Sequence, residues 1–261
     1  MEQEEIYKIL EQTYFSENSK EKKILEKLPR LFHSEMVFID IGANIGQYTF
    51  QAKQNMNRCS IYAIEPDPIR FSKLKENCQK WEYKSDNTIY PLQIAMSDQD
   101  SNTSFYITNS PVSGSFFKYD ISHLNDELRK VVVWEEITVA SYKLDTLFKK
   151  IDPDLVKINA GGSELQILKG STSILKQGKA KFLIEVNKWQ DPEVKNSSAD
   201  ICDFMKSFDY YPKDFYGRKL FVNQKKSLLH TSKRIYRQIL PVAFRQQVKS
   251  WQSKFSQLLL P

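Results

Sequence analysis

The chain has 261 residues, 41% apolar and 13% aromatic, with 38 Lys and Arg against 32 Asp and Glu for a formal net charge of +6. That is apolar side chain enough for a sizeable core, in one large α/β domain or two small ones, and no stretch approaches the roughly 20 continuous apolar residues of a spanning helix. Cys59, Cys78 and Cys202 are odd in number, widely spaced and without a C-x-x-C pair, which excludes a disulfide framework and a cysteine zinc site and suits reduced thiols in a cytoplasmic protein.

Residues 1–35 read as a helical cover over a sheet edge. Ile6, Ile9, Leu10 and Tyr14 recur at helical spacing, and a second pattern through Ile24, Leu25 and Leu28 stops at Pro29. The opening MEQEEIYKIL is acidic and lacks the apolar core of a signal peptide. A domain over 36–226 follows. Its first strand is predicted over Val37–Ala43, breaking at Gly42-Ala43-Asn44-Ile45-Gly46 into a helix over Gln47–Asn55. Ser60–Glu65 is a second strand, closed by Pro66-Asp67-Pro68. Phe71–Lys80 suits a helix, with Phe71, Leu74 and Cys78 on one stripe, and Thr88–Met96 is β-rich. Strands alternating with helices imply a parallel, doubly wound sheet.

Residues 97–153 break that rhythm and read as an insertion on the substrate side. They hold a strand (Thr103–Thr108), a Ser/Gly loop (Ser110–Ser115), a helical piece near Leu124–Lys130, a strand (Glu136–Leu144) and a helix start at Asp145. Leu155–Asn159 resumes the core. Ser163–Lys169 is helical, with Gly170 as its stop and Ser163-x-x-Gln166 as a capping box. Lys181–Val186 is a strand, Ala199–Ser207 a helix and Tyr210–Val222 a hairpin.

The charge is unevenly spread. No Asp or Glu follows Asp214, and ten of the 38 basic residues lie beyond it. Residues 1–214 therefore carry 28 basic against 32 acidic residues, a net −4. In the tail, 227–261, Phe244, Val248, Trp251, Phe255 and Leu258 recur at helical spacing with Arg245, Lys249 and Lys254 between them. Such a basic amphipathic helix can lie on an anionic membrane surface, here the inner face, or pack on a partner helix. Nucleic acid ranks third, because the acidic body continues no groove.

The glycine turn is where chemistry is expected. A strand that breaks at glycines and re-enters a helix lets backbone approach a ligand and offers free N–H groups. Glu65, about 20 residues on at a strand end, is placed to take ribose hydroxyls, which suits an adenosine cofactor. In the dinucleotide fingerprint a glycine stands where this chain has Asn44, whose side chain would crowd a pyrophosphate. Neither a Tyr-x-x-x-Lys pair nor a G-x-x-x-x-G-K-[ST] loop occurs. S-adenosylmethionine (SAM), which has no phosphate, therefore fits better than NAD, with Asp40 and the loop amides for its ammonium and carboxylate.

VFIDIGANIGQYT, YAIEPDP, LQIAMSD, SGS, VASYKLDTL, DLVKINAGGSELQILKG and FLIEVN, in this order from about Met36 to Val222, resemble the successive blocks of FkbM-type methyltransferases. The resemblance implies an α/β fold of the Rossmann-like class I methyltransferase type, a mostly parallel doubly wound sheet with a C-terminal antiparallel hairpin. It implies SAM-dependent O-methylation of a sugar hydroxyl in a glycan, glycolipid or natural product, with a sugar-containing small molecule or lipid-linked glycan as partner. By position it assigns Asp40, Gly42, Asn44 and Gly46 to the methionine end of SAM, Glu65 to the ribose, and Ala95, Ser97 and Asp98 to the neighbourhood of the adenine. The Ser113-Gly114-Ser115 loop would line the site.

The family's fourth core strand ends Lys-Ile-Asp-Val-Glu-Gly-x-Glu, whereas here it runs Lys157-Ile158-Asn159-Ala160-Gly161-Gly162-Ser163-Glu164. Asn159 and Gly161 replace two carboxylates, and Asn187 stands where a His is frequent. An amide is no base and a poor ligand for a divalent metal. Glu185 or Glu164 is then the expected proton acceptor, with Asn159 orienting the acceptor molecule. The alternative is a SAM-binding or interaction protein that kept the fold and lost catalysis. Glu164 in a first helical turn also simply suits the helix dipole. His33, His123 and His230 are scattered, so no metal site is expected.

Overall fold

The computed structural model describes residues 20–82, 86–108, 134–186 and 198–224. The chain divides into two units, Met1–Leu228 and Leu229–Pro261. All described residues belong to the first, and the expected tail helix lies outside them. So do the first predicted helix, the Ser110–Ser115 loop with Ser115, the helical piece at Leu124–Lys130, and Asn187.

In chain order the elements are α1 (Lys20–Lys27), a 3-10 turn (Leu28–Leu31), β1 (Val37–Ile41), α2 (Gln47–Asn55), β2 (Ser60–Ile64), α3 (Pro68–Glu82), β3 (Thr88–Leu92), β4 (Ala95–Met96), β5 (Ser101–Thr108) and β6 (Trp134–Tyr142). Then come α4 (Leu144–Leu147), β7 (Leu155–Ile158), α5 (Glu164–Lys169), α6 (Thr172–Gln177), β8 (Lys181–Ile184), α7 (Ser198–Lys206), β9 (Tyr210–Phe215) and β10 (Arg218–Asn223). One sheet of seven strands runs β3-β2-β1-β7-β8-β10-β9. Its first five strands are parallel, and β10 runs antiparallel to both β8 and β9. This is the mostly parallel α/β sheet with a C-terminal antiparallel hairpin.

The parallel strands are short and almost wholly apolar, as strands covered on both faces must be. On one face Phe38, Ala63, Leu155, Leu183 and Leu220 pack against Ile24 and Leu28, Tyr48 and Ala52 of α2, and Leu74 of α3. On the other face Tyr62 meets the Phe148 ring edge-on.

Two predicted boundaries change. Pro29 does not stop the N-terminal helix. The α-helix ends at Lys27 and Pro29 sits early in the 3-10 turn, where its missing N–H costs nothing. Thr88–Met96 is two strands. Pro91 is tolerated because β3 is an edge strand, and after Leu92 the chain leaves for a second sheet, β4-β6-β5. The insertion contributes β5 and β6 to that sheet, which packs Phe105, Ile107 and Val139 against Ala95.

The strand ends form a row. Ile41 is in register with Ile64 and Ile158, Ile158 with Ile184, and Ile184 with Lys219. One step further along stand Glu65, Gly42, Asn159, Glu185 and, on the antiparallel strand, Arg218. Gly42 has no room for a side chain. Its φ is +70°, and a Cβ there would lie 1.8 Å from the Asn159 carbonyl oxygen. Gly42→Ala combines backbone strain with a clash against main chain, and is expected to cost roughly 3 kcal/mol or more, read as a lower urea midpoint.

Candidate active site

The row rests on a buried ion pair. Asp40 and Lys157 are direct partners in the β1–β7 ladder, 0% and 2% exposed, with Lys157 Nζ 3.0 Å from Asp40 Oδ1. The same ammonium donates to the carbonyls of Ile41 (3.2 Å) and Gly42 (2.8 Å), and the Thr49 hydroxyl donates to Asp40 Oδ2 at 2.9 Å. The pair thus holds the last carbonyls of β1 and the first turn of α2 together. Lys157 also lies 4.8 Å from the centre of the Tyr48 ring.

Most amides of the glycine turn above it are bonded within the chain. Gly42 and Ala43 donate to the Ile64 carbonyl, Gly46 to the Ala43 carbonyl, and Asn44 to Glu65 Oε2 at 2.8 Å. Four of the five turn amides are thereby bonded, and the expectation of free N–H groups fails for those four. Asn44 adopts the left-handed backbone, which an asparagine tolerates. Gly46 faces packing, because a Cβ there would press on Trp81 and Leu74 at under 3 Å. Gly46 thus serves packing of chain against chain, while Gly42 both abuts Asn159 and lines the cleft described next.

Beside the turn is an open cleft with about 450 Å³ of empty space, its mouth included. Ile41, Gly42, Asn159 and Ala160 form one wall, Ala95, Met96 and Phe105 another, and Glu65 lies between them. Glu65 is 5% exposed. Its second oxygen accepts the Asp67 amide at 3.0 Å. Asp67 in turn caps α3 through the amides of Ile69 and Arg70 and pairs with the buried Arg70 guanidinium. Burial pushes the Glu65 carboxyl from 4.5 up to about 7, against the pull of the two amides and Arg70.

Of the residues expected at a cofactor, the structure brings Gly42, Glu65 and Ala95 to the cleft and sets Asn44 against Glu65. Asp40 does not line it, since Lys157 and Thr49 hold its carboxylate beneath the turn. Ser97 and Asp98 do not line it either. The Ser97 hydroxyl donates to Asp98 Oδ1, its amide donates to the Tyr142 carbonyl, and its own carbonyl lies against Gly170. Met96 takes their place at the wall.

Of the three expected catalytic residues only Asn159 lines the cleft, with its backbone N–H donating to the Ile41 carbonyl and its carbonyl oxygen against Gly42. Glu164 is buried, with Oε1 accepting the amides of Ala160 (3.0 Å) and Gly162 (3.3 Å). Burial pushes its carboxyl up and these amides pull it down. Glu164, not Ser163, therefore ties off the turn before α5. Ser163 occupies the N-cap position with non-extended backbone and makes no cap hydrogen bond, so the expected capping box is absent. Glu185 pairs with Arg218, which is 2% exposed and also pairs with Glu21 of α1.

Sequence reading missed Lys157, Arg218 and Tyr48 as parts of this site. A lysine inside LVKIN was the available signal, since a lone charge in a doubly covered strand needs a partner. Arg218 had no comparable mark. Its guanidinium carbon sits 5.6 Å from the centre of the Tyr48 ring, so one phenol ring bridges the two buried cations.

Lys157→Met strands Asp40 and is expected to cost roughly 3–5 kcal/mol in urea unfolding, part of it recovered by adding Asp40→Asn. Glu65 gives a pH signature. Between pH 4.5 and about 7 the folded chain holds the Glu65 proton more tightly than the unfolded chain does. Its contribution to stability is therefore full below the unfolded value and is lost as pH rises through that window. Glu65→Gln should lower stability overall, because an amide NH₂ meets a backbone donor, yet remove this pH slope. Urea midpoints between about pH 5 and 8 test it, and an unchanged slope refutes it.

The methyltransferase FkbM domain model matches residues 40–212. The hexuronic acid methyltransferase AglP of Haloferax volcanii is 25% identical over 176 residues, covering 66% of this chain, and the chain spans 65% of that relative's length. Among solved structures, methyltransferase FkbM from Methylobacillus flagellatus matches with a TM-score of 0.47 and 17% identity, over 73% of this chain and 44% of that one. A methyltransferase-like protein from Silicibacter pomeroyi matches with a TM-score of 0.45 and 11% identity, over 90% and 94%. With its domain model matched over more than half its length, the chain belongs to the FkbM methyltransferase family.

Proposed function

We propose that the protein transfers a methyl group from SAM to an oxygen of a sugar-containing acceptor. The observation that carries this is Glu65, a buried carboxylate at the edge of an apolar cleft beside a turn that has four of its five amides already bonded. A pyrophosphate would need those amides, and a phosphate-free adenosine does not. Two of the roughly four lone-pair positions of the Glu65 carboxylate are taken by Asn44 and Asp67, which leaves two for a pair of ribose hydroxyls. Ala95, Met96 and Phe105 offer the apolar wall that an adenine ring needs.

SAM bound there would supply an electrophilic methyl group on a sulfonium. The chain's own part is to hold and exclude. Glu65 fixes the ribose, the β4 wall shields the base from water, and the Gly42–Asn159 contact sets the floor at the strand ends. Asp40 acts from below, through Lys157. Asn159 faces the acceptor and orients it for in-line displacement. A sugar acceptor is supported by the Haloferax volcanii relative, a hexuronic acid methyltransferase.

Isothermal titration with SAM tests the cofactor half. Wild-type protein is expected to bind, and Glu65→Ala to weaken binding roughly ten-fold or more, the worth of a charge-assisted contact. No heat at millimolar SAM overturns the reading.

A further inference from the structure

A carboxylate reads a pair of hydroxyls best when its plane is already held. The last torsion of a glutamate is broad, and a Glu65 free to turn would lose that freedom only on binding, at a cost in affinity. Here one backbone amide holds each oxygen. Asn44 donates to Oε2 at 2.8 Å and Asp67 to Oε1 at 3.0 Å. The first amide belongs to the glycine turn. The second comes from Pro66-Asp67-Pro68, where the prolines have no N–H and Asp67 alone can donate. Pro68 also biases Asp67 toward extended backbone, which is what a helix N-cap requires.

Asp67 fills that position at the start of α3. Its Oδ1 accepts the amides of Ile69 (2.9 Å) and Arg70 (3.1 Å), its carbonyl accepts the Phe71 amide (2.8 Å), and its Oδ2 pairs with the Arg70 guanidinium. Asp67 is 0% and Arg70 4% exposed. All three oxygens of Asp67 are thus engaged, and the direction of its own N–H follows, because one residue supplies both. Burial pushes the Glu65 carboxyl up. Among the influences that pull it back, the Asp67 amide is the largest, ahead of the Asn44 amide and the Arg70 charge.

We propose that Asp67 is a positioning residue for the ribose of the cofactor: capping α3 and paired with Arg70, it aims its amide at Glu65 and fixes the plane of that carboxylate. This rests on the SAM reading above. Pro66 lines the cleft and Asp67 does not, so Asp67 acts through Glu65. As a plain N-cap Asp67 would serve stability alone. As a positioning residue it also serves the choice between ribose and deoxyribose, since only the hydroxyls need the carboxylate plane.

The test compares S-adenosylhomocysteine with its 2′,3′-dideoxy analogue by calorimetric titration. Wild-type protein is expected to prefer the ribose form roughly ten-fold. Asp67→Ala combined with Arg70→Met removes the cap without stranding a buried charge. It should reduce the preference to about two-fold or less, chiefly by weakening the ribose form. Asp67→Asn keeps an oxygen for the two α3 amides and should retain most of the preference. Equal weakening of both ligands in the double variant, with the preference kept, is the mark of a structural cap and overturns the positioning role. So does a loss of preference in Asp67→Asn as complete as in the double variant. Should the double variant not fold, the Asp67 amide resonance of the wild type decides. Hydroxyls that share the Glu65 carboxylate should shift it with S-adenosylhomocysteine and much less with the analogue, and equal shifts refute the proposal. Wild type that binds both ligands alike overturns the ribose role of Glu65 and this inference with it. No binding of either at millimolar concentration overturns the cofactor reading itself.

Discussion

The site depends on one buried ammonium. Lys157 lies in the middle of a covered parallel sheet, where an unpaired charge would be prohibitively costly. Its neighbour across the ladder, Asp40, supplies the opposite charge, and two carbonyls of the adjoining strand take the remaining donors. Because those carbonyls belong to Ile41 and Gly42, satisfying the lysine also fixes the direction in which β1 leaves the sheet. Thr49 then ties α2 to the same carboxylate. The pair is a structural fastener directly under the place where a ligand is expected.

The glycine turn follows from that constraint. Once Gly42 is drawn against the Asn159 carbonyl, no side chain fits, and the amides find acceptors at the end of β2. A turn so closed has few donors left, and beside it at the cleft stands Glu65. Its carboxylate faces both ways, holding Asn44 and Asp67 while lining the cleft. The high pKa is the cost of keeping such a group under an apolar roof. On the far side of the row, Arg218 joins the N-terminal helix to the end of β8 through Glu21 and Glu185. The helical cover is therefore part of the electrostatic frame of the site as well as of its packing.

The parallel strands, the helix over Gln47–Asn55, the C-terminal hairpin and the importance of Gly42 and Glu65 were all legible in the chain. Apolar runs, their length and their breaks report local geometry directly. The capping box at Ser163 was misread for a local reason, since S-x-x-Q fits the motif but the backbone at 163 turned out not to be extended. The split of Thr88–Met96 between two sheets was hidden because one β-rich run carries no mark of which partner each half will find.

The residues alone determined that this is a doubly wound α/β chain with a glycine turn and a strand-end acid, because periodicity and turn chemistry are properties of neighbours in sequence. Only the tertiary structure decided what those residues do. Asp40 and Glu185 look like free carboxylates until Lys157 and Arg218, 117 and 33 positions away in the chain, are brought beside them by strand register. Charge pairing inside a sheet is a property of neighbours in space. It turns these two acids into framework, while Glu65 and Asn159 line the cleft.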